Sequence, residues 1–283
     1  MQKQITHCRL APSLGEGFAG TPENAWGTLP YNPEMDIDKP CVFFGLYGLP
    51  DFYALWRHKG KKYILWCGSD IRHFIAGYHL EETGRIKLPS HQIARWINEK
   101  CDSFVENQVE YEALKKLGIH STIVPSFLGN VDEYQVNYKW DEKPMVYTSV
   151  SGDDFELYGW DMIPALAKAN PNIDFFLYGN TKEFKSTAHN ICIKGRVPQK
   201  EMDEETRGMQ GALRLTKFEG FSEIIAKSFL WGQWPISLIQ YPHTIQPKDI
   251  GTLFAKKEPN KKGREWLLKN VNRFPWHTNV KNN

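Results

Sequence analysis

The residues with the clearest capacity for chemistry lie between Ala212 and Ser237, where the chain reads ALRLTKFEGFSEIIAKSFLWGQWPIS. A strand is expected to end at Leu215, followed by a loop carrying Lys217 and Glu219. Gly220 allows close backbone approach, and a helix opens at Ser222 with Glu223 in its first turn. A helix start presents unpaired N–H groups and the positive end of the helix dipole, so it attracts an anion. With Arg214 and Lys217 close by, that anion is naturally a diphosphate. A capped strand–helix junction without a ligand is the alternative.

Other constellations are less specific. Gly15-Glu-Gly17-Phe-Ala-Gly20 fits G-x-G-x-x-G after a strand, but the helix that follows would contain Gly27 and stop at Pro30. That is too short for a dinucleotide crossover, so an NAD-dependent enzyme ranks third among the readings. Asp36-Ile37-Asp38 resembles a metal-holding D-x-D, yet it precedes Lys39-Pro40 and a strand, as a solvated turn does. No other carboxylate or histidine cluster has ligand spacing, and no metal is expected. Asp70 and His73 follow a strand at its C-terminal end, where α/β sheets place ligands. Asp70 is carried as a second catalytic candidate beside Glu219, or else it caps the next helix. Tyr47 and Asp51 occupy the equivalent end of the neighbouring strand and, with His73, are candidate acceptor contacts. The basic run Arg57–Lys62, flanked by Trp56, Tyr63 and Trp66, is either a solvated turn or a stacking platform for a sugar or a nucleic-acid strand.

The elements that must position these residues follow from alternating apolar runs and amphipathic segments. Strands are expected over 5–10, 41–47, 63–67, 103–106 and 119–124, with helices over 90–99 and 109–117, the latter closed by Gly118. Polar residues from Gly129 to Lys143 and then Pro144 mark a boundary. A second series follows, with strands over 145–150, 173–178, 191–193, 212–215 and 235–239 and helices over 160–169 and 222–230. Strand–helix alternation repeated across a linker predicts two α/β domains with parallel sheets. The expected division is 1–128, a linker at 129–143, 144–255, and a tail at 256–283 whose helix over 263–274 returns to the first domain.

The bulk properties agree with a soluble two-domain protein. The chain has 283 residues, 41% hydrophobic and 24% charged, enough for two cores. Its net charge of +2 gives no global pull toward nucleic acid. Five dispersed cysteines without a CxxC pair fit a reducing compartment. The N-terminus has no apolar signal core, and no run approaches the roughly 18 apolar residues of a membrane span. A cytoplasmic location without integral membrane contact is expected; the oligomeric state is not legible.

The signature region resembles that of the large family four of retaining GT-B glycosyltransferases (glycosyl transferases group 1), whose pattern is roughly E-G-F-G…E-A-x-A-x-G-x-P-V-I. Glu219-Gly220-Phe221-Ser222, Gly232 and Pro235-Ile236 stand at matching spacing. Upstream, IKGRVPQKEM at 193–202 is similar to the family's loop before the donor site, and GSDI at 68–71 is similar to its N-domain motif. The resemblance implies two Rossmann-like domains facing a cleft and transfer of a sugar from a nucleotide donor, UDP- or GDP-linked, with retention and without metal or other cofactor. Glu219 would contact hydroxyls of the transferred sugar, and the backbone at Gly220, Phe221 and Ser222 would approach sugar and phosphate. Arg196 and Val197 would lie beside the base, and the glycine loop at Gly15 and Gly17 would face donor phosphate or acceptor, or else be a plain surface loop.

Two departures stand out. The family's second glutamate, which binds ribose, is Lys227 here, and a lysine donates hydrogen bonds but accepts none. The family's phosphate-binding Arg and Lys are also missing from Ser149-Val-Ser151-Gly152…Tyr158-Gly159, where Tyr158 takes the lysine's place and Ser151 remains a donor-loop contact. Charge for the diphosphate would come from Arg214, Lys217, Lys227 or Arg196. The chain is compact and divergent for the family; the acceptor is a glycan or, as for some phage glycosyltransferases, a hydroxylated DNA base. The rival from another class is a non-catalytic binding protein on the same fold.

Overall fold

The computed structural model describes residues 6–14, 18–77 and 90–277. They form two compact units. One comprises Met1–Asn130, Phe218–Phe221 and Asn270–Asn283, and the other Val131–Lys217 and Ser222–Lys269.

In chain order the first unit contains β1 (His7–Leu10), α1 (Pro22–Trp26), β2 (Leu29–Pro30), β3 (Cys41–Phe44), α2 (Leu49–Arg57), β4 (Lys62–Leu65), α3 (Ser69–Ala76), α4 (Ser90–Lys100), β5 (Cys101–Val105), α5 (Gln108–Lys116) and β6 (Thr122–Ile123). Its six strands are all parallel in the order β2-β1-β3-β4-β5-β6. Such a sheet is buried on both sides, which explains why β3 is apolar throughout (CVFF) rather than alternating. Cys41 and Phe43 enter one core with Phe52, Ile71, Ile97 and Leu114 from α2 to α5. Val42 and Phe44 enter the other with Trp26 of α1 and with Phe274 and Trp276 from the chain's end. Each fully buried ring contributes about 2–3 kcal/mol.

The second unit contains β7 (Met145–Ser149), α6 (Ile163–Ala169), β8 (Asp174–Tyr178), β9 (Ile191–Gly195), α7 (Gln199–Thr206), β10 (Gly211–Arg214), α8 (Glu223–Trp231), β11 (Trp234–Ser237) and α9 (Lys261–Asn270). Its five strands are again all parallel, in the order β11-β10-β7-β8-β9. This is the doubly wound arrangement, with its topological switch point between β7 and β10. In the first unit the order reverses between β1 and β3, so the segments after those strands occupy the corresponding position.

Two segments differ from expectation. The polar stretch anticipated as a linker is hydrogen-bonded into the second unit: Asn137 and Tyr138 donate their N–H groups to the Trp231 carbonyl, and Gln210 donates its amide to the Lys139 carbonyl. The tail helix ends at Asn270, not 274, and packs in the second unit, with Trp266 against Phe229. What belongs to the first unit is the segment after it. Asn272, in the left-handed region (φ 56°), accepts from Trp26 Nε1 and the Phe127 N–H (both 3.0 Å) and donates to the Phe127 carbonyl at 2.7 Å. Phe274 and Trp276 then stack at 4.4 Å beside Trp26. Trp266 thus packs in the second unit and these rings in the first.

Candidate functional site

In the first unit the site is built at the C-terminal ends of β3, β4 and β5. β4 runs into Cys67-Gly68, and Gly68 has φ +88°. A Cβ there would lie 2.5 Å from the Gly220 nitrogen and 2.6 Å from the Glu219 carbonyl carbon. Only glycine lets the two backbones approach this closely. Gly220 is subject to the same constraint from the other side, since a Cβ on it would collide with the Glu106 carboxylate.

β5 runs into Glu106-Asn107. Asn107 caps α5 by accepting from the N–H groups of Val109 (3.0 Å) and Glu110 (3.1 Å), and its own amide donates to the Glu219 carbonyl at 2.7 Å. The Phe221 N–H donates to Glu106 Oε2 at 2.8 Å, and the Ser126 hydroxyl donates to Glu106 Oε1. Glu110 Oε2 accepts the Glu106 N–H at 2.6 Å, while its Oε1 is buried without a partner. Asp70 is fully buried, with Oδ2 accepting from the Leu46 N–H (3.0 Å) and Oδ1 from Cys67 (3.0 Å) and Ile71 (2.7 Å).

Three buried carboxyls therefore gather here. Burial pushes Glu106 and Glu110 well above the ordinary carboxylate range; the neighbouring Glu106 raises Glu110 further, and Asp70 raises Glu106. Burial lifts Asp70 to about 6, against the pull of its three amide bonds.

These contacts correct several expectations. Asp70, anticipated as catalytic, has both oxygens engaged by backbone amides and ties the segment after β3 to the start of α3. Asp51, anticipated as an acceptor contact, is buried; it pairs with Arg9 at 2.7 Å and accepts the Tyr47 N–H at 3.0 Å. The Phe221 amide, anticipated as open to donor phosphate, is taken by Glu106, because the turn closes on a carboxylate supplied by β5. The aromatic platform beside Arg57–Lys62 is consumed by the cores: Trp66 is fully buried and donates to Ser103, Trp56 stacks on Trp96 at 4.5 Å, and Tyr63 packs on Trp276.

Tyr47 and His73 do come together. The exposed His73 ring stands edge-on to Tyr47 at 5.8 Å, and the Tyr47 hydroxyl accepts from Ser69 at 3.1 Å. Gly15 and Gly17 lie outside the described residues.

In the second unit Arg214 ends β10 at the switch point. Its guanidinium lies 4.3 Å from the Tyr158 ring centroid and donates to the Ser149 carbonyl at the end of β7 (3.3 Å). Tyr158 therefore supports a cation from β10 at the place where the family pattern has a lysine. Ser151 and Lys217 are exposed, as is Arg196 after β9, whereas Val197 packs against the core containing Tyr178 and Met202. Ser222 stands at the N-cap of α8, where its side chain caps nothing, and Glu223 opens the first turn. Lys227 requires correction as a ligand: it is buried and its Nζ donates to both oxygens of Asp203 on α7 (3.0 and 3.1 Å). α8 is buried on all sides from Ile224 to Trp231, so a cation at this position must find its counter-charge inside the protein.

Among the described residues no group of three or more His, Cys, Asp or Glu side chains is arranged to hold a metal ion. Asp36 of the D-x-D accepts the Asn32 N–H at 2.9 Å, as a turn residue does. No helix of the described residues is long and apolar enough to cross a membrane.

Glu106, Asn107, Glu110 and Ser126 were not singled out by sequence reasoning. Their one sequence signal is Asn107 as an N-cap with Glu110 three residues on.

No family model and no curated protein sequence matches the chain. Solved structures do. The S. aureus protein TarM, in complex with fondaparinux, alpha-GlcNAc-glycerol and UDP, aligns over 82% of this chain and 53% of its own at 13% identity and TM-score 0.54. The pneumococcal O-GlcNAc transferase GtfA, in complex with UDP and GlcNAc, aligns over 84% and 55% at 10% identity and TM-score 0.52. Sucrose-phosphate synthase from Thermosynechococcus elongatus aligns over 81% and 69% at 10% identity and TM-score 0.56. The chain thus has the α/β fold of these GT-B glycosyltransferases, and it spans little more than half the length of the first two.

Proposed function

We propose that the chain transfers a sugar from a nucleotide-sugar donor to an acceptor hydroxyl. The observation that carries this reading is Arg214: a guanidinium placed by fold topology at the β7/β10 switch point, where doubly wound sheets bind ligands. The start of α8, where the Ser222 side chain makes no cap, supports it as an anion site, and so do the UDP complexes of two proteins with this fold. UDP is accordingly the first donor nucleotide to test, with GDP second.

In this reading Arg214, Lys217 and the start of α8 meet the diphosphate charge without a metal, with Ser151, Arg196 and Val197 as further donor contacts. Glu219 contacts the transferred sugar. The acceptor oxygen forms a bond to the anomeric carbon as the bond to the diphosphate oxygen breaks, and the leaving phosphate takes the acceptor proton, with retention. Catalysis is largely positional and electrostatic.

A glycan hydroxyl suits the acceptor better than a DNA base. Of the indoles that would have stacked on bases, Trp66 is buried in a core and Trp56 is packed on Trp96, while Tyr47 and His73 offer polar contacts near the end of β3.

A thermal-shift screen of UDP- and GDP-sugars tests donor use, and transfer assays follow from its hit. Glu219→Gln should lower donor consumption at least about 100-fold; an unchanged rate removes Glu219 from its role. The second reading, a non-catalytic protein on this fold, is favoured by one observation: Lys227, in place of a ribose-binding carboxylate, is sealed by Asp203. Donor turnover by the wild-type chain excludes it.

A further inference from the structure

We propose that Glu106 is a positioning residue for Glu219, holding the turn on which that side chain stands. The inference rests on the reading of Glu219 as the group that contacts the transferred sugar.

The turn at Phe218–Phe221 has neither helix nor strand to fix it. It is also grouped with the first unit, although β10 before it and α8 after it belong to the second. Its conformation is therefore set by what grips it there.

Three grips surround Glu219. Asn107 binds the Glu219 carbonyl, Glu106 binds the N–H two residues on, and the Gly68 backbone abuts the Glu219–Gly220 peptide. Of these, the Glu106 carboxyl is the side chain that accepts from the turn's own backbone, the Phe221 N–H at 2.8 Å. It is itself pinned, with Ser126 on Oε1, Phe221 on Oε2, and its own N–H on Glu110. Carboxyl groups are seldom fully buried without a compensating hydrogen-bond task. Here the task is to hold a backbone segment 115 residues away in sequence.

A displacement of about 1 Å in a substrate-contacting group costs on the order of 100-fold in rate. Loss of the clamp should therefore appear in kcat.

The test uses the full chain, with amide exchange at Phe221 and steady-state UDP release from UDP-glucose and UDP-N-acetylglucosamine as readouts. Glu106→Ala should speed Phe221 exchange at least about tenfold and lower kcat about 100-fold, with KM changed less than about threefold. Glu106→Gln, which keeps a neutral acceptor for the Phe221 N–H, should restore both readouts to within about fivefold of wild type. If Glu106→Ala does not fold, Ser126→Ala takes its place; it frees one oxygen of the same carboxylate and should shift both readouts the same way by less.

Phe221 exchange unchanged in Glu106→Ala, or in Ser126→Ala where that replaces it, overturns the proposal. Unchanged kcat in the same variant also overturns it, provided that Glu219→Gln abolishes UDP release; the functional reading then survives. A wild-type chain that releases no UDP removes the functional reading and the positioning role together, and the exchange rates then show only whether the clamp holds the turn.

Discussion

The two units handle charge at their sheet ends in opposite ways. The first gathers three carboxyls, Asp70, Glu106 and Glu110, and meets them with backbone amides and a hydroxyl; none forms an ion pair among the described residues. The second gathers cations: Arg214 lies over Tyr158 and donates to the Ser149 carbonyl, and Lys227 is paired with the Asp203 carboxylate. Backbone amides are fixed in space, so carboxyls bonded to them act as structural ties between loops. Arg214 is itself buried, its guanidinium over the Tyr158 ring and donating to the Ser149 carbonyl. The same fold thus supplies a scaffold of acids in one unit and a candidate ligand cation in the other.

The comparison breaks most sharply at Gly68. Gly68→Ala adds a Cβ at φ +88° against the Glu219–Gly220 backbone. It should cost at least about 3 kcal/mol, read by denaturant unfolding, from backbone strain and overpacking together. A cost below 1 kcal/mol would mean that the turn is not held where the acids are.

Next is Arg214. Arg214→Ala should lower kcat/KM for the sugar nucleotide about 100-fold, while Arg214→Lys should recover only part of it, because an ammonium neither forks nor stacks as a guanidinium does. Equal activity of the lysine variant and wild type would remove the role of Tyr158 as a support.

Asp203→Ala comes third. It leaves Lys227 buried without its counter-charge and should destabilise by about 2–3 kcal/mol, whereas Lys227→Met combined with Asp203→Leu should be close to neutral. Loss of donor binding in a stable double variant would show that this pair serves the ligand rather than the fold.

The smallest effect concerns pH. Glu106 and Glu110 are raised above 4.5, so the folded protein retains protons that the unfolded chain has released above that pH. Linkage then makes stability fall as pH rises from about 4.5 through neutrality. Asp70, lifted to about 6, contributes with the same sign below that value. Glu110→Gln keeps an acceptor for the Glu106 N–H but cannot ionise. It should flatten this slope and raise the melting temperature near pH 8 by about 3 °C or more, roughly 1 kcal/mol. An unchanged slope would assign the retained proton elsewhere.

Much of the architecture could be read from local pattern. CVFF at 41–44 and DFFLY at 174–178 are apolar on both faces, which only a buried parallel strand requires, and Gly118 at φ +77° ends the α5 segment where a helix stop was expected. α2 could not be anticipated in this way, because Gly48 and Pro50 interrupt the pattern at its start.

At the site, residue type was legible but destination was not. Glu219, Arg214 and Tyr47 were recognisable as groups with chemical potential. That Asp70 and Asp51 are engaged, that Lys227 is sealed, and that Glu106 and Asn107 grip the turn all depend on partners dozens of residues away or more than a hundred.

The sequence by itself determined the strand–helix alternation and the glycine-backed turn before α8, because side-chain periodicity and the freedom of glycine act over a few residues. Only the tertiary structure decided which charges are engaged as structural ties. That outcome depends on desolvation and on amides brought in from distant segments, and neither has a local sequence signature.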